Sequence, residues 1–253
     1  MTDWNQLSSS LDAVAGRGEM VRFWWRDDDA GEVTPALDRL LETAERRNLP
    51  LALAVVPAWL QPDAQGQIAA NGEVAVLQHG YAHKNYAKKG AKSIELGGRA
   101  ADRITKDLRM GFAILEDAFG AGFIPVLVPP WNRIDKALQS HLKSLGFAGL
   151  SVFGMRDSPE VTPGVSLINT HVDPIDWRGT RGFLGEDVML EQLIQQLELD
   201  EPIGILSHHL VMDEPCWTFL ERLFSALMHH PAARLCSAST LFASSSLSNG
   251  YAA

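Results

Sequence analysis

The segment LALAVVP, residues 51–57, is apolar without interruption. A strand with one wet face alternates polar and apolar side chains, so a continuous run of this kind belongs to a strand buried on both faces. Such strands sit in parallel sheets covered by helices, and the rest of the chain repeats the theme. Further strand-like runs fall at Val21–Arg26, Val74–His79, Phe123–Pro129, Gly149–Gly154, Val165–His171, Ile203–His209 and Ala233–Ala238. Helical patterns fill the gaps. Thr34-Pro35 supplies an N-cap and a first-turn proline, and Leu37, Leu40, Leu41 and Ala44 form one stripe of a helix ending near Arg47. Other helices are expected over about Arg99–Phe119, Asp135–Leu145, Gly185–Leu199 and Glu214–His229. Strands alternating with helices predict an α/β fold, a barrel ahead of an open doubly wound sheet.

A single barrel fills a chain of 253 residues. Neither an internal repeat nor a linker is visible, so one domain is expected over residues 1–242, with a Ser-rich tail at 243–253. The net charge of −9 argues against nucleic acid, whose phosphates need clustered Lys and Arg, and against anionic membranes. The longest apolar stretch, Leu49–Leu60, holds two prolines and is too short to span a bilayer. Residues 1–20 contain no signal-peptide run, which places the expectation in the cytoplasm. The two cysteines, Cys216 and Cys236, match no zinc or CxxC spacing and read as reduced core residues. DDDAG follows the first strand where a nucleotide-binding fold would carry glycines, so nucleotides are disfavoured.

In α/β barrels the chemistry gathers at the carboxyl ends of the strands. Here those ends carry Asp27-Asp28-Asp29, then His79 and His83, then VPPWNR (128–133), THVDPIDW (170–177), and finally His208-His209. Three adjacent aspartates often form a capping turn, but the next helix already has its cap in Thr34. Their mutual repulsion is relieved if a cation lies among them. His79 and His83 form an H-x3-H pair that suits two imidazoles on one zinc, and one carboxylate plus two histidines leaves the open position of a catalytic site. Neighbouring residues of a strand face opposite ways, so only one of His208 and His209 can meet such a site. It would have the intrinsic pKa of a general acid. Trp131 and Trp177 read first as packing residues and second as walls for a pyranose ring.

RDDDAG, HGYAH, VPPWN, DPIDW and LSH, taken in order from Val21 to His209, resemble the five motifs of the polysaccharide deacetylase (NodB-homology) family, carbohydrate esterase family 4. The resemblance implies a distorted (β/α)7-type barrel. By position, Asp28 corresponds to the general base and Asp29 to the metal aspartate, with Asp27/Asp28 as the other register. His79 and His83 correspond to the metal histidines, His208 to the acid, and Leu206 to the residue lining the acyl-methyl pocket. Asp176 and Trp177 correspond to the fourth motif and, with Trp131, to substrate binding. The third motif departs from the family: Val128 replaces its arginine and Asn132 its glycine. Arg26 or Arg133 is expected to orient the base instead, Arg133 being preferred because it lies in that loop.

The implied chemistry is metal-assisted amide hydrolysis with one divalent ion, zinc, on a small-molecule or oligosaccharide substrate. A backbone N–H near Trp131 is expected to help the metal hold the oxyanion. Two other readings compete. The same centre could hydrolyse a different non-peptide C–N bond, such as a small cyclic amide, or the chain could be a non-catalytic sugar- or metal-binding module.

Overall fold

The structure is a computed structural model and describes residues 2–247, with side chains to residue 243. Its strands are β1 (Val21–Ala30), β2 (Leu51–Val55), β3 (Val74–His79), β4 (Phe123–Val128), β5 (Gly149–Leu150), β6 (Glu160–Thr162), β7 (Val165–Leu167), β8 (Ile203–Ser207) and β9 (Ala233–Leu235). The helices are α1 (Trp4–Gly16), α2 (Pro35–Arg47), α3 (Pro62–Ala70), α4 (Ala101–Phe119), α5 (Lys136–Gln139), α6 (Glu186–Gln196), α7 (Glu214–Met228) and α8 (Ala238–Leu247).

The sheet runs β6-β7-β5-β4-β3-β2-β1-β8, all parallel except β6, with β9 beside β1. It closes through the chain after β7. Thr170 N donates to Val152 O at 3.0 Å, and two residues on, Leu206 N donates to Val172 O at 2.8 Å. Staves β1, β2, β3, β4, β5, β7 and β8 therefore form a (β/α)7-type barrel, distorted at this seam where the ladders are short. Gly204 is required there. A Cβ at that position would meet Asn169 O and Thr170 Cα at 2.6 Å.

Two faces of the staves make two kinds of core. Inside the barrel, Trp24, Ala52, Ala54, Leu77, Val126 and Val128 pack together. Outside, Phe23, Trp25, Leu51, Leu53 and Val55 meet α1, α2, α6 and α7, while Leu127 and Leu150 meet α4 and α5. The floor is closed by α8: Phe242 stands edge-on to Trp24 at 6.2 Å, and it fills the space a side chain on Gly149 would need. Helix α1, which has no assignment from the sequence, is fixed by an Asp3–Gln6 capping box and buries Leu7, Leu11 and Val14.

Several boundaries are corrected. β1 continues four residues past Arg26 through the three aspartates. The helix expected over 135–145 is split into α5 and a single 3₁₀ turn, Lys143–Leu145, and α3 was not anticipated. The tail expected from 243 is helical through Leu247, and residues 248–253 lie outside the described residues. Among the described residues no helix is long and apolar enough to cross a membrane.

Candidate metal centre and proton-transfer groups

Strand parity sorts the clustered residues. Arg26 and Asp28 share the inward face of β1 with Trp24, and β8 pairs Arg26 with Leu206 and Asp27 with Ser207. Leu206 and His208 therefore belong to the inward set, and Asp27, Ser207 and His209 to the outward one. The third aspartate leaves this alternation. Asp29 has a left-handed backbone (φ 74), and the pairing with β2 slips between Asp27 and Ala30, so its carboxylate swings onto the rim.

Asp29 meets His79 and His83 there. Both Nε2 atoms lie near Asp29 Oδ1, at 3.1 and 3.2 Å, and the three ligand atoms fall within 4.8 Å of one another. Asp29 Oδ1 is nevertheless buried without a hydrogen-bond partner. The three groups converge on a point rather than on each other. His79 Nδ1 lies 3.0 Å from the Val128 carbonyl, which can only accept, so Nδ1 carries the proton and Nε2 offers its lone pair. Burial works against the Asp29 charge, but contact with His79 and the charges of His79, His83 and His208 hold its carboxyl well below the usual range. Burial lowers His83, helped by His79, whereas for His79 the effect of burial is outweighed by Asp28 and Asp29, which raise it. A half-buried carboxylate and two imidazoles, the His79 lone pair directed by the Val128 carbonyl, fit a divalent ion of the zinc class and leave a fourth position open.

Asp28 sits beside this trio, 2% exposed, and is gripped by Arg26, which is wholly buried. Arg26 Nε donates to Oδ1 at 2.9 Å and Nη2 to Oδ2 at 3.1 Å. The guanidinium is held in turn by Ser151 Oγ at 2.7 Å and Asn132 Oδ1 at 3.0 Å. Arg133, the preferred candidate from the sequence, is elsewhere: its Nη1 donates to Ser93 O. The reason is geometric. Arg26 is two residues from Asp28 on one face of one strand, whereas Arg133 follows two left-handed residues, Trp131 (φ 56) and Asn132 (φ 55), that turn the chain away. Trp131 packs on His83 at 4.3 Å between ring centres.

On the opposite side of the mouth stands His208, with Trp177 edge-on at 4.8 Å. Its acidic neighbour is Asp173, 3.9 Å away, rather than Asp176. Asp173 accepts Trp177 Nε1 at 2.8 Å and Ile175 N at 3.0 Å. Burial raises its carboxyl, partly offset by His208. Asp176 is a turn residue that accepts the N–H groups of Gly179 and Thr180, both at 2.9 Å, and these hold its carboxyl low. The sequence carried this signal, since an aspartate before Gly and Thr favours a turn. His208 Nδ1 is buried and has no hydrogen-bond partner.

Two of the strand-end histidines do not join the centre. His209 donates from Nδ1 to Asp27 Oδ1 at 2.5 Å, and Ser207 Oγ and His209 N also bond Asp27, so this network ties β1 to β8 behind the site. His171 accepts Gly204 N through Nδ1 at the barrel seam, 3.4 Å from Glu201. Besides Asp173, a second positioning residue was missed. Glu95, 1% exposed, accepts Ala82 N at 2.8 Å and Tyr81 N at 3.3 Å, and so holds the span between His79 and His83.

No family model matches the chain, and no curated protein matches it in sequence. Solved structures do match in fold. A protein from Mycobacterium smegmatis assigned to the polysaccharide deacetylases aligns with TM-score 0.70 and 17% identity over 92% of each chain. The Bc1960 peptidoglycan N-acetylglucosamine deacetylase aligns with TM-score 0.59 and 16% identity, over 91% of this chain and 96% of that one. A CE4 family pseudoenzyme from Bacillus anthracis, BA3943, gives TM-score 0.54 and 14% identity over 88% of this chain and 66% of that one. The chain thus has the NodB/CE4-type barrel. A pseudoenzyme shares that fold, so an activity has to be argued from the site.

Proposed function

We propose that the protein is a metal-dependent hydrolase that removes an acyl group, acetyl in the first instance, from the nitrogen of an N-acylated sugar or related small substrate. The observation that supports it is the convergence of Asp29, His79 and His83 beside an Arg-clamped Asp28. A divalent ion held by those three side chains, which we take to be zinc, would polarise the acyl carbonyl and bring the pKa of a water towards ~7.

The rest is the work of the chain. Asp28 accepts the proton of the attacking water, and the two-point grip of Arg26 fixes the plane of its carboxylate while leaving lone pairs free. The water oxygen bonds to the acyl carbon as the C–N bond breaks. His208 delivers a proton to the departing nitrogen, with Trp177 and Asp173 setting the tilt of its ring. Leu206, on the same inward face below His208, takes the acyl methyl group, and Trp131 and Trp177 wall the mouth. Carboxylate and amine leave. A second reading keeps these roles for another non-peptide C–N bond; Val128, at the end of β4, and Asn132, in the loop after it, favour it, because this third motif differs from the sugar-deacetylating pattern.

Metal analysis combined with acetate release from N-acetylglucosamine oligomers tests the proposal. His79→Ala should lose metal and activity together. His208→Ala should keep its metal and lose ~10²–10⁴-fold in kcat and kcat/KM alike. Metal with turnover only on other amides selects the second reading. Metal without turnover on any amide makes the chain a binding module, and a folded protein that binds no divalent ion refutes both hydrolase readings.

A further inference from the structure

The loop between β3 and α4 carries a charge opposite to that of the molecule. The chain has a net charge of −9, yet residues 84–99 contain Lys84, Lys88, Lys89, Lys92 and Arg99 against a single acid, Glu95. Glu95 is turned inward onto the amides of Tyr81 and Ala82, and Arg99 is paired with Asp107. The four lysines are exposed, and none has an ion-pair partner among the described residues. Four like charges held together repel one another, and solubility does not require them in a protein whose surface is already acidic.

The loop is built rather than slack. Asn85 Oδ1 accepts Ala87 N at 2.9 Å and Ile94 N at 3.1 Å, and Tyr86 N donates to Ile94 O at 2.8 Å. A turn from Ala91 N to Lys88 O then presents Lys88, Lys89 and Lys92 at the tip. One end of the loop begins at His83. The other is bridged to the third-motif loop through Leu96 and Ile134, where Arg133 donates to Ser93 O. The guanidinium that does not reach Asp28 is thereby added to this cationic surface, on the side of the rim where Trp131 packs on His83.

We propose that this lysine loop is a subsite for an anionic group of the substrate, a phosphate or carboxylate carried beyond the N-acyl group. It rests on the hydrolase reading and narrows it: the substrate is an anionic N-acylated sugar rather than a neutral polymer. The lysines recruit it by long-range attraction, and the loop then holds the charged end while the acyl group lies at the metal centre.

The test compares a neutral N-acetylhexosamine oligomer, an N-acetylhexosamine phosphate and an N-acetylhexosamine bearing a carboxylate. Binding is measured by calorimetry at low and high salt, and kcat/KM afterwards. Wild type should prefer at least one anionic probe by about 10-fold or more at low salt, with the preference falling as salt is raised. K88E/K89E/K92E should abolish the preference and leave the neutral probe unchanged, and K88Q/K89Q/K92Q serves if charge reversal disturbs folding. The better anionic probe distinguishes phosphate from carboxylate. Equal affinity for charged and neutral probes, or a preference that survives loss of the lysine charges, overturns the proposal. Loop-dependent anion binding without hydrolysis of any of the three probes would support the subsite and overturn N-deacetylation of sugars alone, leaving the second hydrolase reading in place. Hydrolysis without anion preference would sink the subsite alone.

Discussion

Arg26→Met isolates the charge that steadies Asp28. Arg26 is fully buried and spends four hydrogen bonds, two on Asp28 and one each on Ser151 and Asn132. Methionine fills most of the same volume, so little cavity is created and the main consequence is a carboxylate, 2% exposed, left without its partner. Removing one member of a buried pair costs about 3–5 kcal/mol. For a chain of this size ~1 kcal/mol moves Tm by ~2–4 °C, so a fall of roughly 6–20 °C is expected. Asp28→Leu removes the charge, and the double variant should recover most of the loss, because replacing both members of such a pair by apolar side chains is often close to neutral. Urea unfolding of the wild type, both single variants and the double variant gives the coupling directly. A cost of Arg26→Met below about 1 kcal/mol, or single effects that add within about 0.5 kcal/mol, would refute the idea of a tight buried clamp.

Two further outcomes follow from the same geometry. Burial raises Asp173, so its ionised form opposes folding, and stability is lost as pH rises from the ordinary carboxylate value through the raised one. Asp173→Asn should therefore match wild type in Tm below about pH 4 and equal or exceed it above, while kcat falls because His208 loses its charged neighbour; a variant less stable at neutral pH contradicts this. Glu95→Ala should weaken metal binding ~10–100-fold by freeing the Tyr81 and Ala82 amides, with Glu95→Gln intermediate, as read by competition with a chelator. An unchanged metal affinity would mean that the His79–His83 span holds its shape unaided.

What could be read from the sequence divides along physical lines. The long, well-patterned elements were legible: β3 spans Val74–His79 as its sequence suggests, and α2 shows its cap, its proline and its stripe. The seam was not. β5 and β7 pair over two residues, too few for periodicity to register, and Phe153 and Thr170 meet only as an isolated bridge. Charged residues misled at β1, where the strand-like run ends at Arg26, but the three aspartates lie within the strand because Arg26, His209 and Ser207 satisfy two of them. The orienting arginine was legible in principle. A period of two places Arg26 and Asp28 on one face, a stronger constraint than the position of Arg133 in a family motif. Asp173 and Asp176 could be told apart only by the turn that follows the second.

The plug formed by Phe242 has a consequence for the order in which the molecule is made. Trp24, in the first stave, waits for Phe242 to cover it and for β8 to flank its strand. At ~5–20 residues per second, some 170 residues of synthesis separate the completion of β1 from the arrival of β8, roughly 10–35 s during which one edge of the first stave is unpaired. The aspartates at its carboxyl end are exposed on the ribosome for the same interval, and their charge discourages that edge from recruiting a neighbouring chain. His208 and the helix bearing Phe242 are fewer than forty residues apart in sequence. The histidine at the top of the barrel and the stopper at its base therefore leave the ribosome almost together, and a nascent chain cannot acquire a complete rim much before its interior is sealed.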